Sequence, residues 1–120
     1  MILVPGTKLE AVLAGAVTAN QPEAHVDYVD YNLQGEKTAP SPYRSALNST
    51  TDVTILAAPA TNPSREPIEV NIYNKDTASV TVTVKTDDGT TERIIVRRTL
   101  TTLQTLQWKT NIAWTVIATA

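Results

Sequence analysis

The stretch from residue 68 to residue 117 alternates apolar and polar side chains almost without a break. Ile68, Val70 and Ile72 fall on one phase, and Glu69, Asn71 and Tyr73 on the other. The same period returns in Val80, Val82 and Val84 against Thr81, Thr83 and Lys85. Successive side chains of a strand point to opposite faces, so this pattern predicts strands with one buried and one wetted face. Such alternation belongs to antiparallel sheets rather than to parallel sheets buried on both sides. Turn residues cut the block at Asn74-Lys75-Asp76-Thr77, at Asp87-Asp88-Gly89-Thr90 and at Thr110-Asn111. Asn and Asp side chains bond nearby backbone in turns, and Gly89 can take positive φ in a tight hairpin.

The rest of the chain reads as further strands and loops. Residues 7–14 place Leu9, Ala11 and Leu13 on one face and Lys8, Glu10 and Val12 on the other. Residues 24–31 alternate with neither face purely apolar, which suits an edge strand or one at an interface. Residues 53–57 form a short strand, and residues 61–67, with two prolines, read as a loop. With the block's own strands at 68–73, 80–85, 91–100, 105–109 and 112–118, that makes about eight. The abundance of β-branched Thr and Val agrees. The expectation is an all-β antiparallel sandwich, jelly-roll-like, in one domain spanning residues 1–120. Residues 1–6 read as an extended N-terminal arm. Residues 32–52 read as a long loop, and a loop of that length is commonly functional or held by a partner.

Composition narrows the chemistry. The formal charge is −2, which argues against a general nucleic-acid binder. There is no cysteine, which rules out disulfides and thiolate metal sites. No apolar run approaches the ~20 residues that a membrane span needs. No cleaved signal peptide is expected, because Lys8 follows the first apolar run rather than preceding it.

No residue set reads as catalytic, cofactor-binding or metal-binding. His25 is the one histidine, and an exposed strand histidine is the expected role. Asp27 and Asp30, with Glu23, make a poor glycosidase pair, since alternation puts Asp27 and Asp30 on opposite faces. Solvated edge charges that block aggregation are their expected role. Asp87-Asp88-Gly89 lacks the remainder of a calcium loop and reads as a hairpin turn. Arg93, Arg97 and Arg98 form the one basic cluster, with Arg93 and Arg97 expected on one face and Lys85 across the hairpin. Pairing with acids, or with an acidic protein partner, suits them better than phosphate binding. Trp108 and Trp114 flank the last hairpin as expected core or interface anchors. Tyr28, Tyr31, Tyr43 and Tyr73 fit protein contact on an outer face.

The run Ile-Tyr-Asn-Lys-Asp-Thr-Ala-Ser-Val-Thr-Val-Thr-Val, then Asp-Asp-Gly-Thr, a basic-ended strand, Thr-Leu-Gln-Trp and Ala-Trp-Thr-Val, resembles small structural proteins of tailed-bacteriophage virions. That group includes head-decoration, or cement, proteins. Residues 8–22 and the strand ending near Tyr28 look like the same group's N-terminal half. Relatives commonly carry a Gly in the turn before Thr-Leu-Gln-Trp, and residues 101–104 have none. The resemblance implies a non-enzymatic protein that needs no cofactor and stabilises a capsid by clamping the major capsid protein, as a homotrimer on the virion surface. It carries over no catalytic residue. The expected partner contacts are Ile2, Leu3 and Val4 on the arm, Tyr28 and Tyr31, Tyr43 and Arg44, and Arg97 and Arg98. A tail, fibre or neck protein of the same particle is the nearest alternative. A carbohydrate-binding sandwich using Trp108 or Trp114 with Asp27 is a further one.

Overall fold

The computed structural model describes residues 1–60 and 64–118. Among these residues, nine strands form two antiparallel sheets packed as a β-sandwich. They are β1 (Lys8–Leu13), β2 (Glu23–Tyr31), β3 (Ser41–Ala46), β4 (Val53–Leu56), β5 (Ser64–Tyr73), β6 (Val80–Asp87), β7 (Glu92–Leu100), β8 (Thr105–Lys109) and β9 (Ile112–Ile117). One sheet runs β4-β1-β6-β7 and the other β3-β2-β5-β8-β9. The two-sheet antiparallel sandwich is the part of the expected fold that this strand order carries.

The core follows the alternation. Leu9, Ala11 and Leu13 of β1 meet Val80, Val82 and Val84 of β6 within one sheet. Ala24, Val26, Val70, Ile72 and Leu106 supply the other sheet's inner face. Burial of these branched side chains, at roughly 25 cal/mol per Å² of apolar surface, is the main force holding the sheets together.

Three expectations change. The segment read as one long loop, residues 32–52, contains β3, which pairs along residues 23–28 of β2. Pro42 lacks an N–H and so fits only an edge strand, which is where β3 lies. It follows that β2 is an interior strand rather than an edge. The flanks of β3 are tight turns: Asn32 Oδ1 accepts the N–H groups of Gln34 and Glu36 at 2.9 Å each. The segment read as a loop at 61–67 lies outside the described residues at 61–63, and its remainder opens β5. Pro67 is tolerated there because the β2–β5 register shifts between Asp27 and Tyr28, beside it.

The third change concerns the arm. Leu3 is fully buried in the core, and its backbone pairs in both directions with Arg65, at 2.7 and 2.8 Å. Residues 1–6 are therefore docked through Leu3, while Ile2 and Val4 stay exposed. Leu3→Ala is expected to destabilise the domain by ~2–5 kcal/mol, read as a lowered denaturant midpoint at unchanged slope. Removing residues 1–6 is expected to impair folding, read as a lowered thermal midpoint.

Connectivity follows from the strand order. The turn at Asn74-Lys75-Asp76-Thr77 joins β5 to β6 across the two sheets. It is a crossover, as are the β1–β2 connection and the turn between β7 and β8. The expected hairpins β6–β7 and β8–β9 are present. Gly89 takes φ +89° in the first, and Asn111 takes φ 66° in the second.

Candidate functional site

Three regions gather side chains with chemistry or contact potential: the sheet crossovers, the rim formed by β7 and β9, and the outer end of β1, β6 and β7.

At the crossovers, Asn74 and Asp76 are buried polar residues. The Asn74 amide nitrogen lies 3.0 Å from the Ala78 carbonyl and 3.1 Å from those of Leu100 and Thr101. Its Oδ1 accepts the Asp76 N–H at 3.0 Å. The Asp76 carboxylate accepts N–H groups from Thr18, Ala19 and Asn20 at 2.9, 2.8 and 3.1 Å, and from Thr77 at 2.8 Å. Two residues of one turn, Asn74 and Asp76, thus tie three of the connections between the sheets: β1–β2, β5–β6 and β7–β8. The Thr18 N–H leads the donors that pull the Asp76 carboxyl down from 3.8 to about 2, against the opposing effect of burial. A depressed carboxyl stabilises the fold above its unfolded value, and that contribution is lost as pH falls through the folded value. Thermal midpoints measured from about pH 6 down to about pH 2 are expected to drop mainly below about pH 4. In Asp76→Asn that acid limb is expected to flatten, from a lower starting midpoint.

The rim follows from strand count. β3 packs over β4 and β7 over β8, so β9 extends past the last strand of the smaller sheet. Every residue of β9 except Trp114 is exposed, including Ile112, Val116 and Ile117. On β7, Ile94 is 70% exposed and Ile95 lies beside it. Both strands are sheet edges, so among the described residues each has one row of backbone groups without a neighbouring strand. Trp108 and Trp114 pack on each other, with ring centroids 6.3 Å apart, and against the core. They anchor the β8–β9 hairpin.

The expected contact residues divide. Ile2, Val4, Arg44, Arg97 and Arg98 are exposed. Leu3 is core and is withdrawn as a contact residue. Tyr28 and Tyr43 pack against the core, and Tyr28 also stacks on the Arg65 guanidinium, 4.4 Å from the ring centroid. The Tyr31 hydroxyl donates to Glu66 at 3.0 Å. Asp30 is not a solvated edge charge: Arg65 grips it through two nitrogens at 2.7 and 3.1 Å, both side chains nearly buried. His25 is exposed, 3.8 Å from Asp27. Arg93 and Arg97 do not share a face. The β6–β7 register shifts between Val84 and Lys85, so Arg93 sits opposite Thr86 and Arg97 opposite Thr83. Sequence reasoning missed Ile94, Ile95, Ile112, Val116 and Ile117 as a surface. Its available signal was apolar residues on both phases of one strand, which a half-buried strand does not show.

At the outer end of β1, β6 and β7, Lys8, Glu10, Lys85, Asp87 and Glu92 share the solvent-side face. Lys85 lies 2.8 Å from Glu92 and 2.9 Å from Asp52. The Glu92 bond, followed by the Asp52 bond, raises its pKa well above the usual lysine value. Glu10 is buried, and burial raises its carboxyl despite Lys8 at 3.2 Å.

No family model matches the chain, and no curated protein or solved structure is significantly similar to it.

Proposed function

We propose that this chain is a non-enzymatic structural protein of a tailed-phage virion, of the head-decoration type, which stabilises the shell by bridging major capsid subunits. The motif resemblance suggests the particle. The overhanging strand β9 carries the contact reading: it exposes Ile112, Val116 and Ile117 on a sheet edge, and Ile94 is exposed on β7, the edge strand of the other sheet. A free edge can add a strand from another chain, with apolar side chains supplying affinity. Together with exposed Arg97 and Arg98, the rim suits a protein surface that offers both apolar cover and acidic groups. A homotrimer around the rim is part of the proposal. A tail, fibre or neck position uses the same surface and differs only in where the chain sits. Glycan stacking is less favoured, because the two tryptophans pack on each other and on the core.

Cryo-electron microscopy of intact particles tests the location. Density for this fold on the capsid surface is expected, and density confined to the tail would remove the cement role. The rim is tested separately with Ile94→Asp/Ile117→Lys. Exposed substitutions are expected to change stability by only ~0.5 kcal/mol each. Particle occupancy is expected to fall at least about ten-fold if these are anchor positions. Unchanged occupancy would refute the rim as the docking surface.

A further inference from the structure

A buried carboxylate oxygen without a partner is costly unless something positive meets it. Glu10 has such an oxygen. Its side chain is 4% exposed, Oε2 faces Lys8, and Oε1 has no hydrogen-bond partner. The carboxylates of Asp87 and Glu92 stand beside it, with oxygens of all three groups within 4.8 Å of one another. Asp87 and Glu92 are also direct cross-strand partners. Like charges in that position destabilise a hairpin.

We propose that Glu10, Asp87 and Glu92 form a binding site for a hard divalent cation, with calcium as the preferred ion. Each carboxylate has one oxygen already engaged: Glu10 Oε2 by Lys8, Asp87 Oδ1 by the Gly89 N–H at 2.8 Å, and Glu92 Oε2 by Lys85 at 2.8 Å. Each has a second oxygen to offer. With Asp52, four carboxylates face two ammonium groups, those of Lys8 and Lys85, so the cluster carries two uncompensated negative charges. One divalent ion neutralises them. The donor set is all oxygen, which selects calcium or magnesium over zinc. Calcium binds oxygens at ~2.4 Å, so two ligands on one ion stand at most ~4.8 Å apart, and its irregular shell accepts water in the remaining positions. Magnesium requires a tighter octahedron of about 2.1 Å radius, for which carboxylates fixed on three strands are poorly adapted. The bound ion would clip β1 to the β6–β7 hairpin.

The two lysines compete with the ion, so affinity is expected in the weak range of about 0.1–1 mM. Calcium chloride is titrated calorimetrically into the chelator-treated full chain at constant ionic strength, and thermal melts are run alongside. One site is expected, and the midpoint is expected to rise by roughly 3–6 °C at ten times the dissociation constant. Glu92→Gln, at a position exposed enough to be tolerated, is expected to weaken binding at least ten-fold. Glu10→Gln is expected to do the same while melting no lower than the parent in chelator, since the parent carboxylate is held buried. No heat and no midpoint shift at about 10 mM calcium would overturn the site. So would a shift that persists in both variants or is reproduced by sodium chloride. Equal responses to magnesium would overturn the preference for calcium.

Discussion

Asn74→Ala is expected to cost ~3–5 kcal/mol and to lower the unfolding midpoint by roughly 12–20 °C. The side chain is fully buried and meets three carbonyls and one N–H, drawn from the β5–β6 crossover and the end of β7. Alanine fills none of these roles. Each buried backbone group left without a partner costs about 1–3 kcal/mol, more than the net gain from forming the bond. The loss would propagate, because Asn74 orients Asp76, and Asp76 holds the β1–β2 connection. Asn74→Asp is the informative companion. It keeps an acceptor for the Asp76 N–H but turns the amide donor into a second acceptor facing three carbonyls, so it should be no better than alanine. Lys75→Ala, next in sequence, removes only the exposed pair with Glu23 and should cost less than about 1 kcal/mol. Calorimetric melts of the three variants decide the matter. An Asn74→Ala midpoint within about 4 °C of the parent would mean that the crossovers hold without it.

The second large effect is expected at Arg65. Its guanidinium grips Asp30 through two nitrogens, donates to the Ala57 carbonyl at 2.8 Å and lies over the Tyr28 ring. Asp30 leads the causes that raise the Arg65 pKa, so the charge is firmly retained. Arg65→Met leaves the nearly buried Asp30 carboxylate without its counter-ion. Such a loss typically costs 3–5 kcal/mol, or roughly 12–20 °C here. Asp30→Leu should be of similar size for the converse reason. The double variant Asp30→Leu/Arg65→Met should recover most of the loss, because paired apolar replacements of a buried ion pair are often neutral. A denaturant double-mutant cycle measures this, with a coupling of at least about 1.5 kcal/mol expected. Simple additivity would show that the pair contributes through packing alone.

Much of the architecture was legible because a half-buried strand imprints its period on the residues. Leu9, Ala11 and Leu13, like Val80, Val82 and Val84, are inward as their alternation requires. Both hairpin turns lie where Asp-Asp-Gly and Thr-Asn place them. β3 escaped notice because Ser41-Pro-Tyr-Arg-Ser-Ala carries almost no apolar signal. An edge strand is specified by the neighbour it pairs with more than by its own side chains. The turn without the expected glycine shows a related limit. Leu103 takes φ 67° there, with its N–H bonded to the Asn74 carbonyl at 2.7 Å, a conformation L residues adopt only when the surroundings require it.

The candidate surfaces were less legible. Ile94 and Ile117 are apolar residues on strands, and sequence alone assigns such residues to the core. Only the strand order shows that, among the described residues, no strand opposes β9 and β7 ends its sheet. The Glu10 cluster likewise joins residues 10, 87 and 92, whose association depends on β1 pairing with β6.

The order of residues alone determined that this chain makes antiparallel strands, which faces of most of them turn inward, and where two hairpins close. Those are local properties, set by the alternation of side chains and by turn stereochemistry. Tertiary structure decided which sheet each strand joins, that Leu3 lies in the core, and that Asn74 and Asp76 tie three crossovers together. It also decided which apolar strand stays uncovered and which carboxylates meet. These depend on contacts between segments far apart in the chain, where burial and hydrogen-bond satisfaction are settled by the whole fold at once.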